Sequence, residues 1–330
     1  MLKKKWVLYS GIVIAVLIIA GVGYGLHLYN KTEDIVKDSQ KDIGRENKTS
    51  ELREEKVDPV EDNVSVLFIG VDNSEKRDYD LGSRSDALIL ATFNKQENSV
   101  KLLSIPRDSY VYVPEVGYKT KINHAHFYGG PKATIETVEN LLHVPVDYYV
   151  RLNFEAFIET VDSLDGIHYD VPFEMYEQDS ADNANAIHLL PGPQTLTGEE
   201  ALALARSRKY DDDLERGKRQ QQILKSIKEK ATSVTSLFKL DNLIEAVGSN
   251  MKTNMAFDDM KSFLSYGIDE NITIESVGIN GHGEFLDDGL WYYILEEDSV
   301  NSIQNELRSH LDLTTNLERF ADDDEQDNAF

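Results

Sequence analysis

Hydrophobic and polar positions divide the chain into an uncharged front end, a polar stretch and a long body in which two periodicities alternate. From Trp6 to Leu28 no residue is charged, and the run exceeds the about 20 apolar residues that a helix needs to cross a bilayer core. Lys3, Lys4 and Lys5 precede it, a bias that places residues 1–5 in the cytoplasm and everything after the span outside. The competing reading is a cleaved signal peptide. Such a peptide has a shorter apolar core and ends in a small-residue cleavage site, so residues 6–28 are expected to be a retained anchor. Residues 29–60 are rich in Lys, Glu, Asp, Asn and Ser and hold too few apolar side chains to fold alone. They read as a stalk that keeps the body near the membrane.

The body, residues 61–315, opens with apolar, β-branched runs that predict strands at Val64–Val71, Ala87–Phe93 and Val100–Ile105. Helical spacing follows over Ile122–Tyr128 and Lys132–Leu142, with Gly129-Gly130-Pro131 as stop and restart. A strand at Tyr148–Leu152, a helix at Phe154–Leu164 and a strand at Ile167–Val171 repeat the β-α-β order of a sheet covered by helices. Gln178 to Ala186 is polar and reads as a loop or flap. Thr197-Gly198-Glu199-Glu200 is a capping box that opens a helix over Ala201–Arg206, and Asp213 can cap a second one. Helices at Leu240–Val247, Phe257–Tyr266 and Val300–Leu311 and a strand at Ile272–Ile279 look like structural completion of the same domain. Residues 316–330 form an acidic tail expected to be disordered. The fold class is α/β, a central mixed β-sheet flanked by helices in α-β-α layers, as a single extracytoplasmic domain behind one transmembrane helix.

Charge changes this picture at one place. The chain has 34 Lys plus Arg against 59 Asp plus Glu, a net charge of −25, which argues against non-specific nucleic-acid binding and against adsorption to an anionic membrane surface. Yet six basic residues crowd the fourteen positions from Arg206 to Arg219. Arginine forks match phosphate oxygens two at a time, so a phosphate or pyrophosphate ligand is one reading. A solvated helix face paired with Asp211, Asp212, Asp213 and Glu215 is the other.

Strand ends tip the balance. Asp72 follows the first strand, Arg84 and Asp86 precede the second, and Arg107 and Asp108 follow the third, where ligands collect in open α/β sheets. In the second capped helix Arg216, Arg219, Gln220 and Ile223 fall at i, i+3, i+4 and i+7, a face that begins polar and ends apolar. Ile135, Val138, Phe154, Phe157, Ile223 and Leu224 read as core, although periodicity does not separate a filled core from a lipid-lined hollow. There is no cysteine, no histidine pair at metal-ligand spacing, and no serine-hydrolase or phosphate-loop motif.

Gly70-Val71-Asp72, Ser83-Arg84-Ser85-Asp86, Ser104-Ile105-Pro106-Arg107-Asp108, Lys121-Ile122-Asn123 and the Arg206–Gln222 stretch, in that order behind an anchor, resemble the LytR-CpsA-Psr family of cell-wall enzymes over Val64–Lys230. Overall the ectodomain resembles the family's wall teichoic acid transferases. That resemblance implies a phosphotransferase outside the membrane. It would move an anionic glycopolymer from undecaprenyl pyrophosphate to a peptidoglycan sugar hydroxyl, with Mg2+ as cofactor and the prenyl chain in an apolar tunnel. It implies Asp72 and Asp86 around the metal, with Asp86 the better base and Asp72 the leading metal acid. Arg84, Arg107, Arg206, Arg208, Arg216 and Arg219 would grip the pyrophosphate, with Gln220 beside it. A carrier-binding regulator, or a pyrophosphatase without transfer, uses the same grip. Oligomeric state is not readable from these features.

Overall fold

The computed structural model describes residues 28–45, 49–71, 82–207, 213–232, 240–268 and 271–313. All but the last residue of the expected anchor, and the acidic tail from 316 on, lie outside the described residues. A helix, α1, covers residues 28–39. Val64–Val71 (β1), Ser85–Asn94 (β2) and Ser99–Ser104 (β3) form an antiparallel meander. Tyr110–Val113 (β4) and Tyr118–Lys121 (β5) make a hairpin, and Asn123–Leu142 (α2) follows. Next come Tyr148–Asn153 (β6), Phe154–Ser163 (α3), Ile167–Val171 (β7), Met175–Glu177 (β8), Ile187–Leu189 (β9) and Gly192–Leu196 (β10). Gly198–Arg206 (α4), Asp213–Ala231 (α5), Leu240–Ser249 (α6), Met251–Thr253 (β11) and Phe257–Ile268 (α7) lead to the last strands. These are Thr273–Gly278 (β12), Gly281–Phe285 (β13) and Trp291–Leu295 (β14), followed by Glu297–His310 (α8).

The central sheet is six-stranded, in the order β11-β6-β1-β2-β3-β12. It is mixed: β6 lies parallel to β1 and β12 parallel to β3, while the other pairs are antiparallel. Alternate residues of the meander face two cores. Leu67, Ile69, Val71, Leu88, Leu90 and Leu103 pack under α2 and α8, whereas Val64, Val66, Ile89 and Ala91 face away from them, in the cores that take in Phe263 and Tyr266 of α7. A strand covered on both faces has no side to show to water, which is why β1 reads as an almost unbroken apolar run. The α-β-α layering expected from the sequence is thus present.

Several details differ from the sequence reading. The strand at β7 leaves the central sheet and pairs antiparallel with β10, with Ile167, Tyr169 and Val171 buried and His168 and Asp170 exposed. Its direction is set at the turn after α3. Asp165 and Gly166 both take positive φ there, and a Cβ on Gly166 would lie 2.6 Å from the Leu196 carbonyl oxygen. The polar span 178–186 connects the short hairpin strands β8 and β9. The break in α2 is where Gly-Gly-Pro puts it: Gly129 (φ −139°) and Gly130 (φ 64°) leave helical geometry, and Pro131 restarts the helix.

Residues 29–60 are no free stalk where they are described. Val36 is buried, the Lys41 amide donates to Thr253 O at 2.7 Å, and Arg45 pairs with Glu139 and donates to Val146 O. Arg53 grips Asp147 through two nitrogens, at 3.0 and 2.7 Å. Composition missed this because the segment is tied down chiefly by cations paired with acids of the domain and by backbone hydrogen bonds, rather than by apolar bulk.

Asp147 also accepts the Ser65 amide, tying this strap to the start of β1. Removing one partner of a buried ion pair strands the other charge. Asp147→Ala is expected to lower unfolding stability by about 3 kcal/mol, read as a shift of the urea midpoint at constant slope.

Candidate active site

The site forms where β1 stops. Gly70 lies against Ala87, with a Cβ there meeting the Ala87 Cβ at 3.2 Å, and the β1–β2 register slips between Gly70 and Val71. This irregularity turns the chain at the sheet edge and leaves Asp86 on the wall of a cavity of about 1020 Å3. Arg107 comes one residue after Pro106, at a turn closed by the Ser109 amide and hydroxyl donating to Pro106 O. It pairs with Asp86 and approaches Asp108 at 3.7 Å, and Asp108 in turn takes Lys121 Nζ at 3.1 Å. Acid and base therefore alternate along the sheet edge: Asp86, Arg107, Asp108, Lys121.

Arg84 is held from behind. His126 on α2 is buried, and its Nδ1 donates to Ser83 O at 2.8 Å, which pins the backbone just before Arg84. Burial pushes the His126 pKa down to about 4, so the imidazole is neutral at ordinary pH. His124, on the cavity wall, is also shifted down, chiefly by burial and then by the charges of Arg84 and Lys121.

From the other side come α4 and α5. Both halves of the Thr197/Glu200 capping box are formed, and they set the start of α4 so that Arg206 emerges in its last turn, its guanidinium 4.6 Å above the Phe154 ring. Arg216 and Gln220 of α5 line the cavity beside it, and one turn on Ile223 and Leu224 continue the same wall. The wall becomes greasy there, with Phe68, Leu152, Phe157 and Leu202. The cavity is thus cationic at the strand ends and apolar between α3, α4 and α5.

Arg84, Asp86, Arg107, Arg206, Arg216 and Gln220 are brought to one cavity. Asp72 and Arg208 lie outside the described residues. Arg219 does not line the cavity. Its Nε donates to Leu204 O at 2.8 Å and Nη2 to Ser207 O at 2.7 Å, and its guanidinium lies 5.6 Å from the Phe173 ring centroid. The reason is angular: at about 100° per residue, position i+3 lies some 60° off i while i+4 lies 40° off on the other side, and here the neighbouring carbonyls capture the former. Gln221 turns away to donate to Leu102 O, and Gln222 accepts from the Tyr169 hydroxyl.

Asp108, Lys121 and Asn123 also line the cavity. They stood in the motifs but were given no role, and their recurrence at a strand end and a helix start was the available signal. Leu290 and Trp291, from the β13–β14 hairpin, had none, since neither periodicity nor motif marks them. Of the apolar positions read as core, Phe154, Phe157, Ile223 and Leu224 line the hollow, whereas Ile135 and Val138 are sealed under the sheet.

Among the described residues no group of three His, Cys, Asp or Glu side chains is placed to hold a metal. The donor chemistry nonetheless fits Mg2+. That ion takes one or two carboxylates and fills its shell with phosphate oxygens and water, and Asp86 presents a carboxylate to the cavity among cations suited to phosphate.

The chain thus folds as a mixed α/β sheet flanked by helices, with an arginine-lined cleft at its strand ends and an apolar extension. It is a member of the LytR_cpsA_psr family, whose model matches residues 26–309. It is 41% identical over 316 residues to an uncharacterized protein of Staphylococcus aureus, covering 94% of this chain and 77% of that one. It is 36% identical over 310 residues to the polyisoprenyl-teichoic acid–peptidoglycan teichoic acid transferase TagT of Bacillus subtilis, covering 93% and 95%. The fold matches the solved structure of YwtF (TagT) with bound octaprenyl pyrophosphate lipid at a TM-score of 0.65 and 34% identity, covering 80% of this chain and 96% of that one.

Two outcomes follow from this geometry. Arg219→Ala leaves two carbonyls at the end of α4 without their donor and is expected to cost about 1–3 kcal/mol of stability, read in a thermal melt. His126 supplies a pH test. Its folded pKa lies below the unfolded value of about 6.5, so its contribution is complete above pH 6.5 and is lost as pH falls through 4. The loss amounts to about 3 kcal/mol, and His126→Asn is expected to flatten the stability profile across that window.

Proposed function

We propose that this protein is a membrane-anchored phosphotransferase that moves an anionic glycopolymer, wall teichoic acid by the names of its relatives, from undecaprenyl pyrophosphate to a sugar hydroxyl of peptidoglycan. One observation carries the reading: a single cavity joins four arginines, two at the sheet edge and one each from α4 and α5, to an apolar passage between α3, α4 and α5. Those are the two halves of a prenyl diphosphate, and a relative at 34% identity holds octaprenyl pyrophosphate. The uncharged Trp6–Leu28 run behind three lysines supports an extracytoplasmic site at the outer surface of the cell membrane.

In the reaction the acceptor oxygen forms a bond to the phosphorus that carries the glycopolymer. The bridging P–O bond breaks, and prenyl monophosphate leaves with the electron pair. Such transfer asks chiefly for positioning and charge neutralisation. Arg84, Arg107, Arg206 and Arg216 reduce the repulsion that the diphosphate presents to an incoming hydroxyl, and Arg208 joins them by its place in the motif. Arg107 orients Asp86, whose carboxylate takes the hydroxyl proton. Asp72 and Asp86 would hold Mg2+, which when bound supplies further neutralisation of the phosphate oxygens. The apolar passage holds the tail, so that remote binding energy fixes the reacting phosphorus.

The test is transfer by the full chain in detergent micelles, with Mg2+, a prenyl-diphosphate-linked glycopolymer and peptidoglycan oligomers. A phosphodiester-linked product is expected, with one prenyl monophosphate released per linkage, and chelation of Mg2+ is expected to abolish it. Asp86→Asn and Arg84→Ala are each expected to slow transfer by about 100-fold or more. Release of sugar phosphate with no product on the acceptor would instead mark a pyrophosphatase.

A further inference from the structure

Beside the cavity, at the start of α2 and on β5, stands an exposed aromatic surface that the transfer described above does not use. Phe127, on the cavity wall, is 43% exposed and lies over Gly82, where a Cβ would stand 3.7 Å from its ring. The Tyr128 ring meets Phe127 edge-on at 5.4 Å, and its hydroxyl lies 3.1 Å from that of Tyr118 on β5. Tyr128 and Tyr118 are 37% and 49% exposed. Leu290, 50% exposed, and Trp291 also line the cavity. Asn123, at the start of α2, lines the same cavity, and its side-chain oxygen is buried with no hydrogen-bond partner.

We infer that this surface is the subsite for the acceptor glycan, a strand of N-acetylated pyranose sugars, and that Asn123 is the innermost polar contact of that strand. This rests on the transferase reading above. An in-line displacement brings the nucleophile from the side opposite the leaving oxygen. The leaving prenyl phosphate lies toward α3, α4 and α5, whose lining partners Phe68 and Ile89 are on the face of the sheet away from α2. The hydroxyl therefore arrives over the start of α2 and the β13–β14 hairpin, which is where the aromatic residues stand.

Their chemistry suits a sugar strand. A pyranose has an apolar C–H face and a rim of hydroxyls, and a phenol ring offers a flat apolar body with one polar tip and little conformational entropy to lose. A buried amide oxygen left without a donor is costly unless a ligand supplies one, and a sugar hydroxyl or an acetamido N–H does so. Exposed aromatic side chains gathered beside a reaction cavity are uncommon on a surface without a partner.

The experiment is binding of an N-acetylglucosamine–N-acetylmuramic acid tetrasaccharide to the full chain in micelles, loaded with a non-transferable prenyl diphosphate, for the parent, Tyr118→Ala, Tyr128→Ala and Tyr128→Phe. The Ala variants are expected to weaken tetrasaccharide binding about tenfold, with melting temperature and prenyl diphosphate affinity unchanged and Tyr128→Phe close to the parent. In the transfer assay the same loss appears in the acceptor KM and not in the donor KM. Unchanged tetrasaccharide affinity in both Ala variants, or a rise in donor KM alone, overturns the assignment. Binding requires no turnover, so a chain that fails to transfer but loses the tetrasaccharide in the Ala variants would overturn the enzymatic reading and leave the subsite standing.

Discussion

Guanidinium groups that face one cavity repel one another, and the whole site depends on how that repulsion is contained before any ligand arrives. The answer in this protein is interleaving. Asp86 pairs with Arg107, and Asp108 lies between Arg107 and Lys121, so Arg107 and Lys121 each have an anion beside them. The pairs are half-sheltered from water, where opposite charges attract more strongly than at the surface but must share the cost of desolvation. An anion entering such a site meets side chains already aimed by their pairing. The chain's net charge of −25 makes this local arrangement necessary, since the global field opposes an anionic ligand.

The sheet and its covering helices were legible because their signals are local. A β-branched run buried on both faces, a capping box at Thr197 and a Gly-Gly-Pro break each dictate structure within a few residues. Short strands such as β8, β9 and β11 were not, because three residues carry no period. The β7–β10 pairing depends on a turn at Asp165 and Gly166 rather than on hydrophobic pattern, and β10 contains Gly and Pro that read as loop.

The site was legible in part for a different reason. Charged residues at strand ends are conspicuous, so Arg84, Asp86 and Arg107 could be named from the chain, whereas the choice between Arg216 and Arg219 turned on which neighbouring carbonyls were in reach. Leu290 and Trp291 arrive from a distant hairpin, a tertiary fact with no local trace. The strap over residues 29–60 erred in the opposite direction. Its polar composition suggested independence, yet Arg45 and Arg53 are half of buried pairs whose acids lie about a hundred residues away.

Arg219, set aside from the cavity, still shapes what the cavity can hold. The carbonyls of a helix C-terminus carry a partial negative charge of about half an electron, and α4 ends beside the arginine cluster with that pole directed at the same region. By donating to Leu204 and Ser207, and with Gln220 donating to Ala205, α5 covers the pole with protons. An anion approaching Arg206 is thereby spared the repulsion of the helix on which that arginine stands, and the macrodipole of α4 is muffled by a residue that does not line the cavity.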